Sequence, residues 1–208
     1  ICRSGWDEEE LWSYFECGPW GMAHQHRDKL HVSVHAYGRD ILVDSGSFRY
    51  KRDKWRDRYF QASRGHNVVL IDDKGQKPTQ HTVSRIPDRT CIIEPHFMFI
   101  QDHYEGKYAH EGTGSKGLTR DSTNGVIIHK RSLLYVQSKF WIVFDEIKLD
   151  TNREIKALWH FHPSCTLEVE ENEISTADKN QGNLVLRPLG LQSWEVNVVE
   201  GKKKDPPQ

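Results

Sequence analysis

The chain has 208 residues, with 29 Lys and Arg, 30 Asp and Glu, and a formal net charge of −1. This balance argues against a general nucleic-acid or membrane-surface binder, and no apolar run reaches the ~18 residues that a membrane-spanning helix needs. The length allows one large all-β domain with a sizeable core, so folding requires neither disulfides nor a structural metal. The four cysteines are scattered without a CxxC pair, and we expect mostly buried free thiols.

The first elements form a strand, a loop and a hairpin. Residues 11–17 are apolar and rich in aromatics, which predicts a strand that ends at Gly18-Pro19. From Leu30 to Tyr37 apolar and polar residues alternate, the pattern of a half-buried strand. Residues 37–40 supply a turn, and 41–43 return as the second strand. This hairpin carries the residues after 43 back towards the loop that precedes Leu30.

The segment after the hairpin is strongly basic. Residues 49–64 hold seven Lys and Arg but only two Asp, a net charge of +5 in a nearly neutral chain. Trp55, Tyr59 and Phe60 stand at helical spacing, which predicts one short helix. A solvated helix face is the usual fate of such a charge run. Interleaved aromatic residues and arginines, however, suit an acidic polysaccharide, because rings stack on sugars and guanidinium groups grip anions.

The rest of the chain reads as short strands separated by turn residues. We predict strands at 68–71, 89–94, 96–102, 125–136, 139–147, 154–162, 165–170, 183–187 and 194–199. A Gly-, Ser- and Thr-rich loop is predicted at 107–123, and a disordered tail at 201–208. With one helix and no repeat or composition shift, the sequence predicts a single domain over 1–208, an all-β antiparallel β-sandwich.

Two histidines and a carboxylate are brought to one end of this hairpin. His24 and His26 are alternate residues and so share a face of an extended backbone. Asp44 follows the returning strand, and His66 precedes the next one. His26, Asp44 and His66 therefore form a possible three-ligand Zn²⁺ site with one open position. The alternative is that they are hydrogen-bonded loop residues in a chain with 12 histidines.

Four other histidines lie in strand-like segments and are not predicted as ligands. His31 and His35 fall on the polar face of the first hairpin strand, where we expect solvent-facing or hydrogen-bonded side chains. His160 and His162 repeat the His-x-His step, but their apolar surroundings and Pro163 indicate a sandwich strand.

Several stretches together resemble the heparinase II/III-like polysaccharide lyases. They are GMAHQHRDKLHVSVHAYGRDILVDSGSFRY, WRDRYFQASRGHNVVLID, GVIIHKRSLLYV, KFWIVFDEI and WHFHP. The likeness covers the carboxy-terminal β-sandwich domain of that family, which is supersandwich-like. It implies that His26, Asp44 and His66 hold Zn²⁺ and that His24 is a catalytic acid or base.

The resemblance also implies what lies outside this chain. Family enzymes carry an α/α-toroid domain before the sandwich, and it supplies a catalytic Tyr and a group that neutralises the substrate carboxylate. We therefore expect this chain to be the C-terminal part of a longer lyase, inactive on its own. The expected partner is an anionic, uronic-acid-containing glycan of the heparin or heparan sulfate type, bound with the help of Tyr50, Arg58 and Arg64. The family is commonly exported in bacteria, which implies a periplasmic or extracellular location.

Two other functions fit parts of the sequence. A cupin-type metalloenzyme is also all-β with a His-x-His step, but it usually has a Glu shortly after the second His, where Lys29 and Leu30 stand here. A non-catalytic module that binds acidic glycans needs only the fold and the basic, aromatic surface. Neither alternative predicts an unsaturated sugar product.

Overall fold

The computed structural model describes residues 1–19, 24–51, 54–77, 90–111, 118–190 and 194–201, with the backbone alone at 111 and 118–121. Within these ranges the strands are β1 (Cys2–Arg3), β2 (Trp12–Phe15), β3 (Val32–Ala36), β4 (Arg39–Leu42), β5 (Val69–Ile71), β6 (Gly75–Lys77), β7 (Thr90–Glu94), β8 (Phe97–Glu111), β9 (Leu118–Ser122), β10 (Ile127–Val136), β11 (Phe140–Lys148), β12 (Ile155–Ala157), β13 (Leu167–Glu170), β14 (Glu173–Thr176) and β15 (Val185–Leu186). The helical segments in these ranges are a short π-helical segment, Arg56–Phe60, which follows two α-helical residues at 54–55, and a 3₁₀ turn, Ser63–Gly65.

All strand pairs in the described residues are antiparallel. The first sheet has the order β1-β2-β3-β4, and the second has the order β11-β10-β8-β6, with β7 and β9 also paired to the long β8. Strands β12 and β5 form a two-stranded sheet, and β13-β14-β15 form a three-stranded one. The predicted all-β sandwich class is confirmed.

The main core lies between the first and second sheets. Apolar side chains of β2, β3 and β4 pack against Leu133 and Tyr135 of β10, with side chains of β8 and β11 around them. The indole Nε1 of Trp141 on β11 donates a hydrogen bond of 3.0 Å to the hydroxyl of Ser13 on β2, across the two layers. Burial of apolar area between the sheets is the main stabilising contribution to such a fold.

The hairpin β3–β4 has the predicted position and a tight turn. Tyr37 and Gly38, the two residues between the strands, have φ values of 52° and 75°, which match the type I′ turn that fits the twist of a two-residue hairpin. The register shifts between Val34 and His35, so that Ile41 of β4 has no partner on β3. This β-bulge bends the hairpin before the chain reaches Asp44.

Strand β3 is buried on both faces, although its alternating pattern predicts a half-buried strand. His31 is 1% exposed and Ser33 is 9% exposed. The polar face is covered because residues 66–68 and 158–160 pack over it, as the hydrogen bonds of Asn67 show. The polar side chains of β3 therefore line an interior and not the solvent.

Several predicted boundaries are wrong. The predicted loop at 107–123 is strand at its two ends, because β8 continues to residue 111 and β9 begins at 118, while residues 112–117 lie outside the described residues. No strand forms at 194–199, and only Ile155–Ala157 of the predicted 154–162 strand is regular. The short strands β6 and β14 were not predicted, since three or four mixed residues give little periodic signal. The predicted tail beyond 201 lies outside the described residues.

Two further observations concern the whole described chain. The four cysteines are free, and Cys2 is buried whereas Cys91 is exposed. In the part of the chain that the structure describes, no helix is long and apolar enough to cross a membrane.

The sandwich predicts opposite outcomes for two neighbouring leucines of β10. Leu133 is fully buried between the sheets, whereas Leu134 is half-buried on the outer face. Leu133→Ala should lower the free energy of unfolding by about 2–5 kcal/mol, because a cavity opens in the core. Leu134→Ala, the matched control, should cost no more than about 1 kcal/mol. Urea unfolding measures both, and the reverse order would show that β10 presents its other face to the core.

Candidate active site

The structure brings His26, Asp44 and His66 together. One potential ligand atom from each residue lies within 4.8 Å of the other two. The Nδ1–H of His66 donates a hydrogen bond of 2.7 Å to Oδ2 of Asp44, and the rings of His26 and His66 have centroids 5.2 Å apart. The three side chains come from a loop, the segment after the hairpin and the residue that follows the 3₁₀ turn before β5, as the spacing predicts.

The electrostatics of this cluster favour the forms that bind metals. Burial alone raises the pKa of the Asp44 carboxyl, but the hydrogen bond and charge of His66, with the charge of His31, hold that pKa well below its usual range. Burial and the nearby His66 lower the pKa of His26. An ionised carboxylate and a neutral imidazole are the ligand forms that Zn²⁺ takes.

One atom of the cluster has no partner. The Nε2 of His66 is buried and has no hydrogen-bond partner among the described residues, and an unsatisfied buried polar atom costs about 1–3 kcal/mol. Ligand atoms around a tetrahedral Zn²⁺ at ~2.0–2.2 Å stand about 3.3–3.6 Å apart, so the cluster needs only a small contraction to hold an ion. The three residues therefore fit a zinc site.

Glycine is required immediately before His66. A Cβ on Gly65 would lie 2.5 Å from the main-chain oxygen of Tyr59 and 2.6 Å from the hydroxyl of Ser45. Because the first contact is with backbone, a larger residue could not be accommodated by a side-chain rotation. The close approach of these segments places His66 beside Asp44.

The loop that carries His26 is anchored through its main chain. Arg27 donates its N–H to the carbonyl of Gln61 and accepts a bond of 2.6 Å from the hydroxyl of Ser63. The side-chain amide of Gln76 on β6 bonds both the N–H and the carbonyl of Lys29, at 3.1 Å and 2.7 Å. These bonds fix the path of the loop with little dependence on its side chains.

A tight turn ends this loop at the start of β3. His31 donates its N–H to the carbonyl of Asp28 at 2.8 Å, and Leu30 has a φ of 72°. Position i+2 of such a turn normally takes Gly or Asn, so a fully buried Leu here is strained backbone of the kind found at functional sites. Packing of Leu30 in the core offsets that strain.

His24 lies at the open edge of the site. It is exposed, its φ is 58°, and its ring meets that of Tyr50 edge to face with centroids 5.7 Å apart. Tyr50 is itself 87% exposed. The pair thus presents an imidazole and a phenol to solvent. His24 is two residues before His26 in the chain.

The cations of the basic segment, residues 49–64, are only partly available to a ligand. The guanidinium of Arg64 pairs with both carboxylate oxygens of Asp73, at 3.3 Å and 2.7 Å, so its charge is already compensated. Arg58 is half-buried, and its Nε has no hydrogen-bond partner among the described residues. Arg52 and Asp53 of the basic segment lie outside the described residues.

Three polar residues around the cluster, two of them buried and His160 partly buried, are not predicted as part of it. The carboxamide of Asn67 donates to the carbonyl of Val32 at 2.8 Å and accepts from the main chain and Nδ1 of His160. His31 accepts from the N–H of Asn67 at its Nδ1 and lies 3.7 Å from Asp44. The His66-Asn67 pair in the family-like stretch is the sequence signal that could identify Asn67. His31 and His160 fall in predicted strands, which hides their place beside the cluster.

Comparison with known proteins places this chain in a family. The model of the family described as Heparinase II/III-like, C-terminal matches residues 4–203. The chain belongs to this family. A curated relative, a heparin-sulfate lyase from Pedobacter heparinus, is 22% identical over an alignment 209 positions long, which covers 96% of this chain and 28% of the relative. The predicted resemblance is confirmed.

Solved structures agree in fold. The heparan sulfate lyase HepC from Pedobacter heparinus matches with a TM-score of 0.65 at 18% identity, over 88% of this chain and 26% of that one. A heparinase III gene product matches with a TM-score of 0.65 at 16% identity, over 87% of this chain and 26% of that one. This heparinase II/III-like chain therefore spans about a quarter of the length of the relatives that it matches.

Burial of His160 predicts a loss of stability in mild acid. Burial, with the charge of His66, lowers the pKa of His160 to about 4, below the ~6.5 of an unfolded chain. The unfolded state therefore takes up a proton first as the pH falls, and the contribution of His160 should shrink by about 2 kcal/mol from about pH 7 to about pH 5. Urea unfolding of wild type and His160→Gln across this range measures the difference, and parallel stability curves would contradict it.

Proposed function

We propose that this chain is the sandwich domain of a polysaccharide lyase that cleaves uronic-acid-containing anionic glycans by β-elimination. The observation that carries the proposal is the convergence of His26, Asp44 and His66 beside the exposed His24–Tyr50 pair, in a chain of the heparinase II/III-like family. The relatives are named as lyases of heparin and heparan sulfate, and we extend that substrate class to this chain.

His24 has the chemistry that the elimination requires. The reaction removes the proton at C5 of the uronic acid and protonates the 4-O leaving oxygen, so it needs a base, an acid and neutralisation of the neighbouring carboxylate. An exposed imidazole can serve as one acid–base group, a role that contributes on the order of 10²–10⁴-fold. Tyr50 would stack on the sugar beside it.

His26, Asp44 and His66 would hold Zn²⁺. When bound, the ion would supply a fixed positive charge that joins three segments of chain and so steadies the loop that carries His24. The elimination consumes no water, so the proposal requires no hydroxide from this site. The unpartnered Nε2 of His66 supports this role.

The second set of catalytic groups would come from outside this sandwich. The chain covers 28% of the curated lyase and 26% of the solved ones. We propose that an α/α-toroid domain of the same polypeptide contributes the remaining acid–base group and the group that neutralises the carboxylate. A periplasmic or extracellular location stays a prediction from the resemblance.

The metal site can be tested with two matched Asp–His pairs on the same hairpin. Asp44 bonds His66, and Asp40 bonds His35 at 2.9 Å near the opposite end. Asp44→Asn should weaken Co²⁺ binding by more than about 100-fold. That loss exceeds the roughly 10–100-fold typical when a residue that only hydrogen-bonds to a metal ligand is replaced. Asp40→Asn should leave Co²⁺ binding unchanged. Absorption titrations with Co²⁺ measure both variants.

Removal of the metal supplies the control for that experiment. A chelator should lower the unfolding free energy of the wild type, by about 2.7 kcal/mol relative to protein in metal at 100 times its Kd. The same treatment should not change Asp44→Asn. Equal Co²⁺ affinity in the two Asn variants would contradict the site.

Glycan binding can be tested with two matched pairs of substitutions. Tyr50→Ala and Arg58→Ala should weaken binding of a heparan sulfate oligosaccharide, and the loss from Arg58→Ala should shrink at high salt because charge contacts are screened. Tyr37→Ala, at the far turn of the hairpin, and Arg64→Ala, whose charge Asp73 already compensates, should change affinity little.

The same samples separate a lyase from a binding module. We expect weak binding and no meaningful turnover from the 208 residues alone, and unsaturated product from a polypeptide that also carries the toroid domain, lost in His24→Ala. Binding without product from that longer polypeptide would favour the non-catalytic module. Calorimetry at two ionic strengths and ultraviolet absorbance of the product give the two readings.

A further inference from the structure

Arg131 of β10 is fully buried, and four of its N–H groups have partners within the protein. Its Nε and Nη2 bond the two carboxylate oxygens of Asp145 at 2.7 Å and 3.0 Å. Its Nη1 donates to two main-chain carbonyls, that of Leu30 at 2.8 Å and that of Asn67 at 2.7 Å. One nitrogen thus joins two segments that are far apart in sequence.

These two carbonyls belong to segments that carry candidate metal ligands. Leu30 ends the loop that carries His26, and it holds the strained φ of 72°. Asn67 directly follows His66. The distance between the two ligand-bearing segments is therefore set in part by the two N–H directions of Nη1, because a planar guanidinium fixes the angle between them.

Asn67 extends this connection to the third ligand. Its Nδ2 donates to the carbonyl of Val32 at 2.8 Å and to that of Val43 at 3.2 Å, and Val43 immediately precedes Asp44. From Arg131 through Asn67, hydrogen bonds thus reach the main chain adjacent to His66 and Asp44 and, at Leu30, the end of the loop that carries His26.

The orientation of Arg131 is itself fixed. Asp145 on the neighbouring β11 grips the guanidinium bidentately and also accepts from Nε2 of His129 at 2.7 Å. The guanidinium carbon lies 5.6 Å from the centre of the Trp159 ring. A bidentate carboxylate leaves Nη1 free to point away from β11, towards the two carbonyls.

We propose that Arg131 is a positioning residue for the His26–Asp44–His66 cluster, acting through the carbonyls of Leu30 and Asn67. The inference rests on the proposed metal site and goes beyond it by naming what sets the spacing of its ligands. A buried ion pair that served the fold alone would need Asp145 but no contacts beside the ligands. Metal affinity and the Co²⁺ spectrum, measured apart from stability, distinguish the two roles.

The test compares two arginines that each pair with an aspartate, Arg131 in the interior and Arg39 partly buried. Arg131→Lys keeps the charge, but an ammonium cannot grip Asp145 bidentately and still span both carbonyls. Arg39→Lys is the matched control, since Arg39 pairs with Asp178 at 2.8 Å near the far turn of the hairpin and its side chain is 11% exposed. Both variants should lose stability in urea. Only Arg131→Lys should bind Co²⁺ about 10- to 100-fold more weakly, with altered visible absorption.

A second variant covers failure of Arg131→Lys to fold. The double change Arg131→Met with Asp145→Leu replaces the ion pair by apolar groups of similar volume, which is often tolerated, and it removes both contacts to the ligand segments. It should also lose Co²⁺ affinity. Unchanged affinity and spectrum in the folded variant would overturn the positioning role while leaving the metal site intact. Absence of Co²⁺ binding by the wild type would overturn the metal site itself, and with it the positioning role. That result is distinguishable from a failure of the positioning role alone.

Discussion

Buried polar groups must find hydrogen-bond partners inside the protein, and this requirement shapes the interior between the hairpin and β10. Asn67 and Arg131 are both fully buried, and between them they bond the carbonyls of Leu30, Val32, Val43 and Asn67 itself. A buried carbonyl left without a partner costs about 1–3 kcal/mol. Because the bonds join distant segments, they can all form only when the loop, the hairpin and β5 are assembled together. The same assembly brings His26, Asp44 and His66 together.

The sequence predicted those parts of the site that depend on local pattern. A period of two and a two-residue turn identify the hairpin, and the hairpin returns Asp44 towards His26. The roles of Asn67 and Arg131 could not be predicted in this way, because the main-chain carbonyls to which they donate are 24 to 101 residues away along the chain. The burial of His31 was missed for a related reason: alternation shows that a strand has a polar face, but not that another segment covers it. Short strands such as β6 carry too little periodicity to be found, although Gln76 of β6 anchors the loop.

Charge counting along the sequence gave an incomplete picture of the basic segment. Its net charge of +5 treats each cation as free, whereas Asp73, from the turn after β5, neutralises Arg64 in the fold. Arg64, whose side chain is 11% exposed and already paired with a carboxylate, offers little to a second anion. The exposed Tyr50 beside His24 is therefore a better guide to where a sugar would lie than the number of arginines. The family match supports a lyase over a cupin-type enzyme, which the His-x-His step alone could not separate.

The His26 loop is anchored mainly by bonds to its own main chain. Ser63, Gln76 and Arg131 bond the backbone of Arg27, Lys29 and Leu30, so the loop path does not depend on which side chains these positions carry, apart from the buried Leu30 and the Lys29–Asp102 ion pair. Mutations can therefore accumulate at the outward-facing positions of this loop while the backbone keeps its course. Surface loops on rigid scaffolds are where binding preferences change most readily. Substitutions at these outward-facing positions would therefore alter the surface that a ligand meets without moving the backbone that places His26 beside Asp44 and His66.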